Sequence, residues 1–402
     1  MINNTGFENI LIFSHSQEDT VGVDDELLEY ITHKVKTSCL FKFPFLYSSD
    51  GSIKVTLSDS FGTKQNYSSL LRFYKPDIVS YVKDFIYAFF YCAKYIKRNS
   101  LVVCTDNILT VATSIPLYFA RIFGVKVTNV YYLIDYTPRR FTSSIINLVY
   151  EFVDKLAFYC TDYVWVLNKK MVTGRVVDKG YPTRTDNIIV VPHGNNSHKY
   201  NDLDYKKFDL FNIAYLGGIF KSKGAELFTQ IIKELVETGH KSATLHVIGS
   251  GDLDYLSDCV KSDKIENNVV LYGRVSDQKD VEQILLRCAV AIAPYNPHDK
   301  NSFSYYADPG KVKIYLGCGL PVVITEVPEI YKTIRKQNAG LVADYSAKDF
   351  SKKIVVLLND ISTYRRNAQK LGEQYSWLKI FDKTFFVMKR KIQSQKTYNA
   401  KL

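Results

Sequence analysis

The chain has 402 residues, 46% hydrophobic and 23% charged, a length that allows two or three domains with large buried cores. Its 52 lysines and arginines against 41 aspartates and glutamates give a formal charge of +11, which favours an anionic partner. Without zinc-finger spacing, an arginine-rich tract or an RNP-like motif, we do not expect nucleic acid to be that partner. Seven scattered cysteines are typical of reduced thiols in the cytoplasm and not of a disulfide framework or a zinc cluster.

The amino-terminal region has no pattern of a secretory signal, because its first apolar run, residues 10–13, is too short. We therefore expect a cytoplasmic protein. The most membrane-like stretch, residues 78–96, contains Lys83, Asp84 and Lys94, which disfavours a spanning helix. The stretch could still lie on a membrane surface.

Short β-branched runs alternate with helical patterns, which predicts parallel α/β sheets covered on both faces. In the first half the predicted strands are residues 9–14, 101–104, 125–133, 163–167 and 188–191. After Val191 the chain turns polar through His193 and Gly194 as far as Asp209, and we interpret this run as an interdomain linker.

A second sheet is predicted beyond the linker. Its strands are residues 211–216, 243–249, 269–271, 289–293, 321–325 and 341–343. An apolar helical stripe made by Leu227, Phe228, Ile231, Ile232, Leu235 and Val236 follows the first of them. We predict two Rossmann-like domains facing across a cleft, residues 1–205 and 206–374, and a C-terminal helix within residues 375–402 that crosses back to the first domain.

A glycine turn follows the first strand of the second half, in the segment YLGGIFKSKG of residues 215–224. Gly217 and Gly218 let backbone amides approach phosphate oxygens, and Lys223 adds a positive charge near the start of the next helix. An ordinary tight turn with a solvated lysine explains the segment equally well.

Two more glycine turns end predicted strands, HVIGSGD at residues 246–252 and LYGRV at residues 271–275. Ligands of open α/β sheets bind at this edge, although each turn alone is more often a plain connection. The segment DPGKVKIYLGCGLPVV, residues 308–323, then places Gly310 and Lys311 at the start of a short helix. Helix amides and a lysine there could bind a phosphate together, or Lys311 could be a surface lysine.

These four segments, in this order, resemble the donor-binding domain of GT-B glycosyltransferases, the group that includes the family 4 enzymes. The resemblance covers about the second half of the chain, and Pro192-His193-Gly194 is similar to the interdomain Pro-Asn-Gly of the group. It implies that residues 206–374 bind a nucleotide sugar and residues 1–205 bind the acceptor. The implied donor site consists of Gly217, Gly218, Lys223, Gly249, Gly251, Arg274, Val275, Tyr306, Gly310 and Lys311.

The sequence departs from the family pattern in two places. Gly218 stands where the group has an arginine, and Tyr306 and Ile314 stand where many members have paired glutamates. The pattern is closer to bacterial polysaccharide transferases that keep Pro-x-Lys without the glutamates, some of which are inverting. Ribose and sugar recognition is therefore expected to differ.

The first half offers acceptor-side candidates. Asp135 follows a buried strand in YYLIDYTPRRF, residues 131–141, where a carboxylate could act as general base or simply begin a turn. Arg139 and Arg140 suit an acceptor phosphate, or are solvated surface charges. His15, just after the first strand, is a further acceptor candidate, although a lone histidine is more often structural.

The sequence thus predicts a transferase that moves a sugar from a nucleotide sugar, which we expect to be a UDP-sugar, to a hydroxyl of a saccharide or lipid-linked acceptor. Cell-surface polysaccharide or lipopolysaccharide synthesis is the expected setting, and the basic and aromatic residues 75–98 suggest an anionic membrane face. No cofactor or metal is expected. A sugar-nucleotide 2-epimerase and a non-catalytic GT-B partner subunit remain alternatives, whereas hydrolase and ATPase motifs are missing.

Overall fold

The computed structural model describes residues 5–16, 21–44, 51–69, 78–181, 185–196 and 209–399. The chain forms two compact units, one made of Met1–Val191 with Leu378–Leu402 and the other of Pro192–Trp377. The first unit thus ends at Val191, where the sequence turns polar. Most of the polar run, residues 197–208, lies outside the described residues.

The first unit is built on a mixed sheet. Its strands are β1 (Asn9–Ser16), β2 (Thr37–Pro44), β3 (Lys54–Asp59), β4 (Lys64–Ser68), β5 (Ser100–Cys104), β6 (Val127–Leu133), β7 (Tyr163–Val166) and β8 (Ile188–Val190). The order is β4-β3-β2-β1-β5-β6-β7-β8, parallel except at the β2–β3 and β3–β4 pairs. The five predicted strands are confirmed, and β2, β3 and β4 are additions that the sequence pattern did not predict.

Helices cover this sheet. They are α1 (Val23–Ile31), α2 (Ile78–Tyr95), α3 (Asn107–Ile122), α4 (Ser144–Cys160) and the short α5 (Lys169–Thr173), which a π-helical turn at Gly174–Asp178 follows. Polar caps fix two of the starts, since the side chains of Asp106 and Ser143 accept hydrogen bonds from amides in the first turns of α3 and α4. Among the described residues, no helix is long and apolar enough to cross a membrane.

The second unit contains a parallel sheet. Its strands are β9 (Asn212–Leu216), β10 (Thr244–Ile248), β11 (Val269–Gly273), β12 (Val290–Ala293), β13 (Val322–Ile324) and β14 (Gly340–Val342), in the order β11-β10-β9-β12-β13-β14. All six predicted strands are confirmed. The chain moves outward from β9 in one direction and returns to its other side at β12. This creates a topological switch point beside the end of β9, where ligands of such sheets bind.

The helices of the second unit are shorter. They are α6 (Phe228–Glu237), α7 (Leu253–Ser262), α8 (Gln278–Leu286), α9 (Phe303–Tyr306), α10 (Gly310–Gly317), α11 (Ile330–Lys336), α12 (Ala347–Asn359) and α13 (Ile361–Gln374). As the apolar stripe predicted, α6 buries Phe228, Ile231, Ile232 and Leu235 against the sheet.

The last helix, α14 (Trp377–Asn399), begins at the final residue of the second unit and continues in the first. There Phe385 packs against the rings of Tyr30 and Trp165, with centroids 5.7 and 5.9 Å apart, and the Tyr30 hydroxyl donates to Asp382 at 2.6 Å. These contacts confirm the predicted return of the C-terminal helix to the first domain. The helix lies within the predicted residues 375–402 and continues to Asn399.

Candidate active site

The ends of three neighbouring strands meet at the glycine turns of the second unit. The Gly217 amide, just after β9, donates to the carbonyl of Ile248 at 2.8 Å, and the Gly249 amide donates to the carbonyl of Gly273 at 2.8 Å. A Cβ on Gly249 would lie 2.1 Å from the Gly217 oxygen. Glycine is therefore required at position 249 by the close approach of two backbones.

Glycine is also required at position 251 because two backbones approach each other closely there. A Cβ on Gly251 would lie 2.6 Å from the carbonyl oxygen of Ile219, whose amide donates to the carbonyl of Ser250 at 2.9 Å. The glycines assigned to the nucleotide side thus hold the β9 and β10 loops together. Their contact with a nucleotide stays a prediction.

The two predicted lysines approach the same turn. Nζ of Lys223 lies 3.3 Å from the position that a Cβ of Gly218 would take, and Cδ of Lys311 lies 3.5 Å from that of Gly217. Lys223 belongs to a 3-10 turn, Lys221–Lys223, and not to the start of α6 as the sequence suggested. The fold therefore gathers two positive side chains and two glycines at the end of β9.

Lys311 is the most unusual group of this cluster. Its Nζ is buried without a hydrogen-bond partner among the described residues, 3.9 Å from the ring centroid of Tyr215 and 4.9 Å from that of Tyr295. Burial, followed by the charge of Lys223, holds the pKa of Lys311 well below its usual value. Burial also lowers the pKa of Lys223. An anion bound here would supply the missing counter-charge.

The residues at the start of α10 contact the segment that follows Val191. The Asp308 carboxylate accepts a hydrogen bond from the His193 amide at 2.7 Å and pairs with Lys313, whose side chain is 0% exposed. A Cβ on Gly310 would lie 2.7 Å from the His193 ring, so glycine permits this contact. Asp308 and Lys313 belong to the segment of residues 308–323 that the sequence analysis singled out, but their ion pair was not predicted.

Three donor candidates remain, Arg274, Val275 and Tyr306. Arg274 is exposed directly after β11, whereas Val275 packs on the apolar core of the second unit. Tyr306 is buried at the end of α9, with its ring 5.1 Å from that of Tyr305. The contacts of these three residues leave their roles toward a base or sugar as predictions.

In the first unit, two predicted site residues contact each other. The Arg140 guanidinium forms an ion pair with the Asp135 carboxylate, and it lies 4.8 Å from the centroid of the Tyr150 ring. The Asp135 side chain is 46% exposed, so a substrate can reach it. Arg139 is exposed and donates to the carbonyls of Phe141 and Thr142 at 3.2 and 2.6 Å.

His15 is held between two carboxylates. Its Nδ1 lies 2.8 Å from Asp106 and its Nε2 lies 3.1 Å from Asp84, which also forms an ion pair with Lys83 at 3.0 Å. Burial opposes the imidazolium charge, but the two carboxylates outweigh it and raise the pKa of His15 to about 10. With both ring nitrogens engaged, His15 can contribute a fixed positive charge more readily than a proton-accepting nitrogen. Asp84 and Asp106 were not predicted as site residues.

Tyr81 lies near both His15 and Arg140. Its ring lies 6.2 Å from that of His15, and its pKa is raised by burial and by Asp106 and Asp84, against the opposing charge of Arg140. The carboxyl ends of β1, β5 and β6 therefore bring His15 and Arg140 into one polar region of the first unit. Among the residues that the structure describes, no group of three or more His, Cys, Asp and Glu side chains could hold a metal ion.

Two α/β units on parallel sheets, with a last helix that returns to the first unit, define the GT-B fold of glycosyltransferases. Residues 211–360 match the family model described as glycosyl transferases group 1. The chain thus carries a group 1 glycosyltransferase domain within a GT-B fold. A comparison with curated proteins finds no match.

Solved GT-B structures are similar along nearly the whole chain. HepE of Anabaena in complex with UDP has a TM-score of 0.62 at 14% identity, over 98% of this chain and 100% of HepE. The apo form of the lipopolysaccharide outer core galactosyltransferase WaaB has a TM-score of 0.61 at 12% identity, over 96% and 99%. TarM of S. aureus, with UDP, has a TM-score of 0.53 at 14% identity over 84% of this chain, which spans 62% of TarM.

Proposed function

We propose that the second unit binds a UDP-sugar, with its diphosphate between Lys223 and Lys311 at the Gly217–Gly218 turn. The observation that carries this proposal is the buried Lys311 ammonium, which has no hydrogen-bond partner among the described residues and lies beside a second lysine. A diphosphate would give both lysines charge-assisted hydrogen bonds. The UDP in the structures of HepE and TarM supports the choice of nucleotide.

The first unit is proposed to hold the acceptor, a saccharide or lipid-linked saccharide. In the transfer, the bond between the sugar anomeric carbon and the diphosphate oxygen breaks, and a new bond forms from that carbon to the acceptor oxygen. The acceptor hydroxyl gives its proton to Asp135, and the leaving diphosphate takes the bonding electrons, where the two lysines stabilise its charge. Arg140 holds the Asp135 carboxylate in place through their ion pair.

The proposed setting is cell-surface polysaccharide synthesis at the cytoplasmic face of the membrane. WaaB, whose structure is similar in fold, is described as a lipopolysaccharide outer core galactosyltransferase. Arg139, exposed beside Asp135 and Arg140, is proposed to contact a phosphate of the acceptor, for which a guanidinium is well suited. His15 contributes its fixed charge to the same region.

The test is release of UDP from purified protein with candidate UDP-sugars, measured with and without saccharide or lipid-linked acceptors. Acceptor-dependent release supports the proposal. Sugar interconversion without acceptor would identify a 2-epimerase, and nucleotide binding without any turnover would identify a non-catalytic subunit. Asp135→Asn should lower turnover by about 10²-fold or more with little change in UDP affinity. Asp258→Asn, at an exposed position on α7, is the control. Normal turnover of Asp135→Asn would remove Asp135 from the mechanism.

A further inference from the structure

Helix α2 presents an apolar stripe to solvent as well as to the core. Its inner side packs Phe85 and Tyr91 against the first unit's core, whereas Val82, Ile86 and Phe90 point outward at helical spacing. Phe90 is 63% exposed. Such a stripe on an outer helix surface is unpartnered within the described chain.

The next two helices repeat this arrangement. Helix α3 exposes Ile115, Tyr118 and Ile122, and α4 exposes Ile145, Leu148 and Phe152, both at spacings of three and four residues. Since α2 packs beside α3 and α3 beside α4, the stripes adjoin, and we refer to the exposed apolar residues of these helices as the three-helix face. About half of the exposed large apolar side chains among the described residues belong to it or directly follow α3. Apolar patches of this extent mark interaction surfaces.

Charge is distributed unevenly around the three-helix face. Exposed basic side chains lie in the last turn of α2 and beyond the ends of α2 and α3, and the Asn99 amide donates to the Lys126 carbonyl at 2.8 Å, which joins the two ends. The basic residues are Lys94, Lys97, Arg98 and Lys126. We refer to these four as the basic end cluster, and within the described residues none of them forms an ion pair.

The acidic residues of the same helices are neutralised internally. Asp84 pairs with His15 and Lys83, Glu151 lies 2.5 Å from Lys179, and Asp154 lies 3.0 Å from Arg175. The outward side of α2, α3 and α4 thus combines apolar side chains with positive charge at one end. Lipid bilayers with anionic headgroups have the matching composition.

We propose that the three-helix face inserts into an anionic membrane surface and that the basic end cluster contacts its headgroups. The inference extends the membrane setting proposed above from one helix to three. The test of membrane binding needs neither donor nor acceptor. Membrane binding can therefore fail while the proposed transferase activity is confirmed, and the activity can fail while membrane binding is confirmed.

The experiment is cosedimentation of the full chain with vesicles of phosphatidylcholine alone or mixed with phosphatidylglycerol. The face variant combines Phe90→Ser, Ile122→Ser, Leu148→Ser and Phe152→Ser. The matched control variant combines Leu210→Ser, Phe303→Ser, Val356→Ser and Phe386→Ser, at exposed apolar positions outside α2, α3 and α4. Because all these side chains are exposed, both variants should keep the wild-type melting temperature.

Wild type and the control variant should bind the anionic vesicles, and binding should weaken in high salt. The face variant should bind at least about a hundredfold more weakly, since each large apolar side chain removed from the bilayer costs about tenfold or more. Reversal of the basic end cluster to glutamate should abolish the preference for anionic over neutral vesicles. Reversal of four exposed lysines of the second unit, Lys241, Lys261, Lys279 and Lys348, should preserve it.

Three results would overturn the proposal. The first is wild-type protein that stays in the supernatant with every vesicle. The second is a face variant that is folded and binds as tightly as wild type. The third is a wild-type dimer, seen by light scattering after gel filtration, that the face variant converts to a monomer, because the face would then be a contact between copies.

Discussion

Replacement of Lys311 by methionine isolates the charge at the candidate donor site. Methionine keeps an unbranched apolar stem of similar length between Tyr215 and Tyr295 but removes the buried ammonium. A hydrogen bond to a charged group contributes about 1.5–3 kcal/mol, so UDP affinity should fall by about tenfold to a hundredfold or more. Isothermal titration calorimetry with UDP measures the change. Lys348→Met, at an exposed position of α12, should bind UDP like wild type.

The same variant should bind UDP with less proton uptake than wild type. Burial and Lys223 depress the pKa of Lys311 in the free protein, and a bound diphosphate would raise it again. Above the depressed pKa, UDP binding by wild type must therefore take up a proton, and its affinity should fall as the pH rises toward the pKa of the complex. Calorimetry in buffers of different ionisation enthalpy detects this proton. Lys311→Met should show both effects less strongly, since only Lys223, whose pKa burial also lowers, remains beside the diphosphate.

The free variant should also be more stable than the wild type. A lysine whose pKa is depressed by folding binds its proton more readily in the unfolded chain, so at neutral pH the ammonium favours unfolding. Its removal should raise the melting temperature of the nucleotide-free protein, by about 2–4 °C for each kcal/mol gained. Equal UDP affinity of Lys311→Met and wild type would refute the donor site. A melting temperature lowered by Lys311→Met would refute the account of its burial.

Two further predictions concern the stability of the fold around the candidate site. Folding raises the pKa of His15 from an ordinary 6.5 to about 10, so protonated His15 stabilises the fold fully below about pH 6.5 and this contribution is lost as the pH rises through about 10. The melting temperature of His15→Gln should therefore fall furthest below that of wild type at neutral and lower pH, and a deficit independent of pH would contradict the charge assignment. Gly249→Ala should cost about 1–3 kcal/mol more in chemical denaturation than Gly239→Ala, because a Cβ at 249 meets the Gly217 carbonyl whereas one at 239 meets nothing within 4 Å. Equal losses would show that positive φ alone explains both glycines.

Burial explains most of the predicted strands but not all of them, since β11 was predicted although it is largely exposed and β2 was missed although it is largely buried. The strand β12, Val290–Ala293, is entirely buried, and its apolar run is visible in the sequence. By contrast, β4, Lys64–Ser68, is exposed along its whole length and has no apolar run, since its structure comes from antiparallel pairing with β3. Edge strands of this kind depend on a partner that a local pattern does not contain.

In the candidate site, too, the residues that could be predicted are those whose pattern is local in the sequence. The glycine turn and Lys223 follow one another in the chain, so a contiguous motif revealed them. His15 was noticed only for its place at the end of the first strand, because its partners Asp84 and Asp106 lie 69 and 91 residues further along. Their charges, which decide the protonation of His15, meet only when β1, β5 and α2 assemble.

The departures from the family pattern fit the environment of Lys311. Ile314 stands three positions beyond Lys311 on α10, a spacing at which side chains are neighbours, and it packs on the apolar core. A glutamate at that position could pair with the ammonium, and a carboxylate there would compete with a phosphate for it. With isoleucine at 314 and glycine at 218, neither a resident anion nor an arginine accompanies the lysine. The buried charge is then left for a ligand to neutralise, which makes Lys311 the residue on which the affinity for a diphosphate should depend most.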